Sequence, residues 1–258
     1  MRAIRKTVLG LAVATLATAS AGLSRADGIQ DPGLPGTTQG DSWTTLHSAA
    51  NPGFPGFPGT GAWPSAIGSN LGGDAELTKV ANGAGGGPIP LGGSMYFAGF
   101  SGDINAFGGT LAINDSTPVA DLANVVFQID IGEAATYDFF DHVLPVLNFN
   151  GGTQALAATY AVITSRVSTG VFQTPEGPEE VYRNVHLLQW DLTGISEPIT
   201  SFSIEFSGVQ HAQIYGMRVD QSDVYTSLAP TQAVPEPASM ALLFVGVAAL
   251  GVRRLRRP

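Results

Sequence analysis

Two stretches of the chain alternate apolar and polar residues with a period of two. In residues 122–131, LANVVFQIDI, the side chains of Val125, Phe127, Ile129 and Ile131 fall on one face and those of Val126, Gln128 and Asp130 on the other. In residues 201–207, SFSIEFS, the residues Phe202, Ile204 and Phe206 alternate with Ser201, Ser203 and Glu205. Successive side chains of a strand point to opposite faces, so this pattern predicts antiparallel strands with one face on a core and the other in water. Runs rich in β-branched and aromatic residues predict further strands at 94–100, 108–114, 145–150, 156–167, 181–192 and 213–220, and 75–80 reads as a strand rather than a short helix. Turn signals fall between them at Gly102-Asp103, Asn114-Asp115, Asn150-Gly151 and the Pro-Glu-Gly-Pro of residues 175–178. Outside the termini no segment longer than ten residues carries a 3.6-residue period. The expectation is an all-β fold, a single antiparallel β-sandwich of jelly-roll type over residues 41–225.

Around that domain the pattern changes. Residues 27–40 are rich in Gly and Pro and read as flexible, and residues 226–234 read as a polar linker. Within the first third lies NPGFPGFPGTGAWP, residues 51–64, whose Gly-x-Pro spacing spans only Gly53 to Gly59, far too short for a triple helix. It is expected to be an ordered loop tacked down by Phe54, Phe57 and Trp63.

The two ends carry the longest apolar runs. At the start, the basic MRAIRK is followed by TVLGLAVATLATASAGL and then by small residues, the layout of a secretory signal peptide over residues 1–26. Small-x-small sites follow Ala26 and Ala21; cleavage after Ala26 leaves a polar start at Asp27. An uncleaved N-terminal anchor is the alternative, but the run is short for a membrane span. No Arg pair precedes it, which argues against the twin-arginine route.

At the other end, residues 238–252 are 15 uncharged, mostly apolar residues, about 22 Å long as a helix at ~1.5 Å per residue. That is short of the usual span, but Arg253, Arg254, Arg256 and Arg257 can snorkel and should stay cytoplasmic. Pro235, Glu236 and Pro237 precede the run; two prolines keep this backbone extended and short of donors, a form suited to a protease cleft. A plain tail anchor is the simpler alternative.

The order Pro-Glu-Pro, single apolar helix, terminal arginine cluster resembles the PEP-CTERM sorting signal of Gram-negative bacteria. The resemblance covers residues 235–258 and implies recognition and cutting by a membrane protease, exosortase, much as sortase handles LPXTG tails. It also implies an exopolysaccharide-producing, biofilm-forming setting and the general secretion machinery as a partner. It implies nothing about the body, because unrelated passengers carry such tails.

Charge sharpens the picture of the body. Of 12 basic residues, four lie in the first 25 positions and four in the last six, leaving Lys79, Arg166, Arg183 and Arg218 against 20 carboxylates, formally −16. Such a surface repels phosphate backbones, so nucleic acid is not an expected partner. The absence of Cys excludes disulfides, Cys-ligated zinc and thiol catalysis. No Gly-x-Ser-x-Gly elbow, phosphate loop or His-Glu-x-x-His is present.

Candidate chemistry is sparse. In YDFFDH, residues 137–142, the side chains of Asp138, Asp141 and His142 could ligate a cation or act as acid and base. The blander reading makes them polar residues at a strand end, with Phe139 and Phe140 as core or lid. Asp220 and Asp223 could share a calcium ion with backbone carbonyls, or be solvated turn carboxylates; neither stretch has EF-hand spacing. Apart from that calcium, no cofactor is expected. His186, His211 and Trp190 lie on expected strands, where a satisfied hydrogen-bonding role outweighs ligand binding. Trp43 or Trp63, if exposed, could stack on a sugar ring. The leading expectation is a non-enzymatic, exported surface or matrix protein engaged with exopolysaccharide. The alternatives are a lectin-like module, with or without the assistance of calcium, and a glycoside-active jelly-roll enzyme with paired carboxylates across a groove.

Overall fold

A computed structural model describes residues 28–101, 103–174 and 177–229. The segments read as a signal peptide (1–26) and a tail helix (238–252) lie outside the described residues. The strands are β1 (Thr38–Trp43), β2 (Ile67–Gly68), β3 (Glu76–Asn82), β4 (Pro88–Leu91), β5 (Ser94–Phe97) and β6 (Phe107–Asp115), followed by β7 (Asn124–Gly132), β8 (Val146–Phe149), β9 (Tyr160–Thr174), β10 (Gly177–Asp191), β11 (Phe202–Val209) and β12 (Gln213–Ser222). A short 3-10 turn, Phe140–His142, is the one helical element among the described residues.

All pairings are antiparallel and form two sheets. The larger runs β4-β5-β12-β7-β10-β9, with β1 also beside β12; the smaller runs β2-β3-β6-β11-β8. β5 and β1 share one edge of β12, β5 pairing with Gln213 and Ile214 and β1 with the stretch from Met217 to Ser222. From β5 to β8 successive strands alternate between the sheets; β9 and β10 then stay together as one hairpin.

The alternation seen in the sequence builds the space between the sheets. Val125, Phe127, Ile129 and Ile131 of β7 meet Phe202, Ile204 and Phe206 of β11, and Trp43, Leu188, Trp190, Met217 and Val219 complete a buried cluster. Phe127 and Phe206 bring their ring centroids to 5.7 Å across the sheets. Dense packing of this kind supplies most of the stabilisation of a sandwich.

The outer face of β7 departs from expectation. Val126, Gln128 and Asp130 are buried, although alternation predicts a solvated face. Segments flanking the strands, near residues 28–31 and 226–228, lie on this face. Gln128 clamps the backbone of Gln30, accepting its N–H at Oε1 (3.1 Å) and donating from Nε2 to its carbonyl (2.6 Å). Gln189 does the same for the other segment, donating to Thr226 O (2.8 Å) and accepting from Leu228 N–H (2.8 Å). Arg183 forms two 2.6 Å bonds to Asp130 and lies over the Tyr215 ring at 4.0 Å. The stretch expected to be a flexible leader is therefore structural: residues 28–37 pack on the larger sheet and Thr38 opens β1.

Asn114 and Asp115 complete β6 rather than forming a turn, and Gly177 and Pro178 belong to β10. Asn150-Gly151 is a turn, with φ of 50° and 68°. In the proline-rich loop, Phe54 packs edge-on to Trp63 at 5.2 Å, and the Trp63 indole N–H donates to Pro88 O (2.9 Å). Lys79 binds the Gly59 and Gly61 carbonyls, so the loop is ordered as expected.

Candidate functional site at the loop end

One end of the sandwich gathers the β3–β4 turn, the loop after β5, the loop after β7 and the β11–β12 turn, and the β9–β10 hairpin projects beyond it. Gln210 ties these loops together. Its Nε2 donates to Ala84 O (2.8 Å), and its Oε1 accepts from the Ser101 N–H (3.1 Å) and hydroxyl (2.7 Å). A Cβ on Gly99 would fall 1.6 Å from Gln210 Nε2, so only glycine leaves room for this tie. Among the described residues, six of the nine non-glycine positions with positive φ lie here: Asn105, Ala135, Thr136, Asp141, His142 and His211. For Thr136, at φ 73°, this is an unfavourable conformation for a β-branched side chain, and such outliers concentrate at functional sites.

Beneath the loops lies a polar network. His186 Nε2 donates to Asp138 Oδ2 (2.7 Å), Asn184 Nδ2 donates to Asp138 Oδ2 (3.0 Å) and Glu133 Oε1 (2.9 Å), and Glu133 Oε2 accepts the Tyr182 N–H (3.0 Å). Arg166 approaches Glu133 at 3.4 Å and lies 3.9 Å over the Tyr182 ring. Burial pushes the Asp138 carboxyl up, but the bonds from His186, Asn184 and the Phe139 N–H outweigh it and hold the group below the ordinary carboxylate range. Phe139 sits edge-on to His186 at 5.0 Å and seals the pair from above. An imidazole and a carboxylate so enclosed serve to hold β10 to the loop after β7.

Above the network opens a cavity of about 480 Å³. Its lining combines the apolar Ile104, Ala134, Ala135, Phe172 and Val181 with the polar Asp103, Asn105, Glu133, Gln210 and His211. His211 Nδ1 is engaged by the Tyr96 hydroxyl (2.5 Å), which leaves Nε2 free of that contact. Asn105 Oδ1 is buried without a hydrogen-bond partner in the described residues. Phe57 and Phe100 pack edge-on at 4.7 Å nearby and remain 46% and 68% exposed.

Of the residues singled out from the sequence, few meet. Asp138 pairs with His186 rather than with Asp141 or His142. Asp141 is exposed and accepts a long bond from Asn105 Nδ2 (3.4 Å), while His142 stacks on Tyr137 at 4.5 Å. Trp43 is fully buried, its indole N–H bonded to Ile67 O (2.9 Å), so it has no face for a sugar; Trp63 is half-buried, edge-on to Phe54 with its N–H bonded to Pro88 O (2.9 Å). Asp220 forms a forked pair with Arg218 (2.6–3.0 Å), and Asp223 accepts the Thr37 N–H (2.7 Å). Those bonds tie both carboxylates to this chain. Among the described residues no three His, Asp or Glu side chains are grouped to hold a metal ion.

The fold and its loop end define a β-sandwich passenger domain, and the identifiable part of the chain is the tail beyond it. A family model, the PEP-CTERM protein-sorting motif, matches residues 233–257. No curated protein and no solved structure matches the chain. The tail is a PEP-CTERM sorting signal, which marks the protein as exported, directed toward the cell surface and processed by an exosortase, a membrane protein.

Proposed function

We propose that the protein is a non-enzymatic component of the cell surface or extracellular matrix, associated with exopolysaccharide, on a sandwich of jelly-roll type. The sorting motif at residues 233–257 carries this reading. Residues 1–26 act as a cleaved signal and residues 238–252 as a transient inner-membrane anchor with Arg253, Arg254, Arg256 and Arg257 on the cytoplasmic side. The arrangement of the body supports it. Gly28 and Leu228 line one shallow cavity on the outer face of the larger sheet, so both processed ends leave from the same side. Residues 230–234 add five residues, at most about 18 Å of extended chain, between the body and Pro235. Exosortase thus meets its substrate with the folded domain close at hand. A non-enzymatic role is supported by the engagement of the loop-end acids Asp138 and Glu133 in structural bonds.

The test is intact mass of the protein from envelope and medium of the host, with and without exosortase. Loss of both terminal segments only when exosortase is present is the expected result. An intact tail retained in the inner membrane of both strains would replace this reading with an anchored periplasmic protein.

A further inference from the structure

The loop-end cavity combines one exposed aromatic ring with polar lining groups and, among the described residues, no lining cation. Phe172, 43% exposed, lines it together with Val181 and Ile104, and Asp103, Asn105 and His211 are among its polar lining residues. Among the described residues no Lys or Arg lines the space, while two carboxylates do. Glu133 has Arg166 beside it at 3.4 Å, but Asp103 has no ion-pair partner among the described residues, so an anionic ligand would meet an uncompensated carboxylate in a body already formally at −16. A neutral sugar ring meets no such penalty. Its C–H face fits an exposed aromatic ring, and its hydroxyls donate to carboxylates and exchange hydrogen bonds with imidazole. The Asp103 carboxylate accepts no hydrogen bond in the described residues, the backbone N–H of that residue alone being engaged, by Ser101 Oγ (3.2 Å). The volume of about 480 Å³ lies within the range of small-ligand sites, ~300–1,000 Å³.

We infer that this cavity binds a neutral saccharide unit of a polysaccharide chain, with Phe172 against the ring face and Asp103 and His211 on its hydroxyls. The inference rests on the polysaccharide association proposed above and adds its site and the charge class of the ligand. The ligand enters beside the projecting hairpin, which supplies Phe172 and Val181.

The experiment is affinity gel electrophoresis of the form released into the medium, in gels containing dextran, a mixed-linkage β-glucan or galactomannan as neutral polymers and alginate as a polyuronate. Retardation is expected in at least one neutral gel and not in alginate. Phe172→Ala should weaken it about tenfold, a difference of ~1.4 kcal/mol, and Phe172→Tyr should retain it. Phe172 stands on the exposed hairpin, so thermal melting of both variants should match that of the unmodified protein. Retardation by a neutral polymer that survives both Phe172→Ala and Asp103→Ala would overturn the site and leave the polysaccharide association standing. Retardation by alginate alone would overturn the charge argument. No retardation in any gel would overturn the inference and the association together.

Discussion

β7 and β9 flank the same strand, β10, yet have opposite fates. All nine residues of β7 are buried; none of the 15 residues of β9 is. Both are rich in β-branched residues: β9 contains Val162, Ile163, Val167 and Val171, all substantially exposed. The difference is position. β7 lies between β12 and β10 with the smaller sheet on one face and the flanking segments around Gln30 and Thr226 on the other. β9 is the sheet's edge, and its distal half, with the first residues of β10, runs past the end of the sandwich. Propensity made both segments strands; neighbours decided which became core.

The edge is also treated differently from the others. Of the remaining outer strands, β2, β4 and β8 have two to four residues and β1 six, and β4 contains Pro88 and Pro90; short edges and prolines blunt strand-to-strand aggregation. β9 is long but interrupted: its register against β10 shifts at two places, and Thr164 and Thr169 donate to the Val185 and Val181 carbonyls there (3.2 Å each). Such irregularities twist an edge away from flat pairing while keeping its side chains on view.

Three substitutions would test this contrast. Phe127→Ala on β7 removes a fully buried ring packed on Phe206 and should cost about 3–5 kcal/mol, read from urea denaturation. A loss below ~1 kcal/mol would mean that β7 is not the centre of the core.

Asp138→Asn acts at the junction where β10 passes from sandwich to hairpin, and should cost ~2 kcal/mol at neutral pH by weakening the bonds to His186 and Asn184. Its pH dependence has a definite sign. The folded protein holds Asp138 below its ordinary value of 3.8, so its contribution is present above that pH and is lost as the pH falls through the lower folded-state value. The unmodified protein and the Asp138→Asn variant should therefore converge in acid. Burial raises Asp41, Asp115 and Asp220, whose contributions are full below 3.8 and fade as the pH rises through their folded-state values. Only the difference between the two proteins isolates Asp138, and a difference that persists unchanged at a pH of about 2 would contradict an ionised Asp138.

The smallest effect belongs to the hairpin. Val171→Ser, at a residue 60% exposed, should change stability by no more than about 0.5 kcal/mol. A large loss of stability would place the hairpin within the cooperative core and remove the contrast with β7.

Much of the fold was legible. β6, β7, β8, β11 and β12 lie where period-two alternation or β-branched runs put them, and residues 75–80 fall in or beside β3 as expected. β1 and β4 escaped notice because TQGDSW and PIPL carry no alternation and contain Gly or Pro; their strand form comes from pairing with β12 and β5. The candidate site was far less legible. Asp138 was visible, but its partner His186 lies 48 residues on, and neither spacing nor composition joins them. Phe172 carried no signal at all, because the hairpin that exposes it continues past the run expected to end at residue 167.

The sequence by itself determined the export route and the β class. A sorting tail is read as a linear string by a membrane protease, and strand alternation is a local consequence of backbone geometry. Tertiary structure alone decided which strand faces were covered, since Gln128 and Gln189 receive chain segments about 100 and 40 residues away. It also decided that the tryptophans belong to the packed body and that a phenylalanine on a projecting hairpin faces the loop-end cavity. Burial and cavities depend on what packs against a residue from elsewhere in the chain, and local pattern does not encode that.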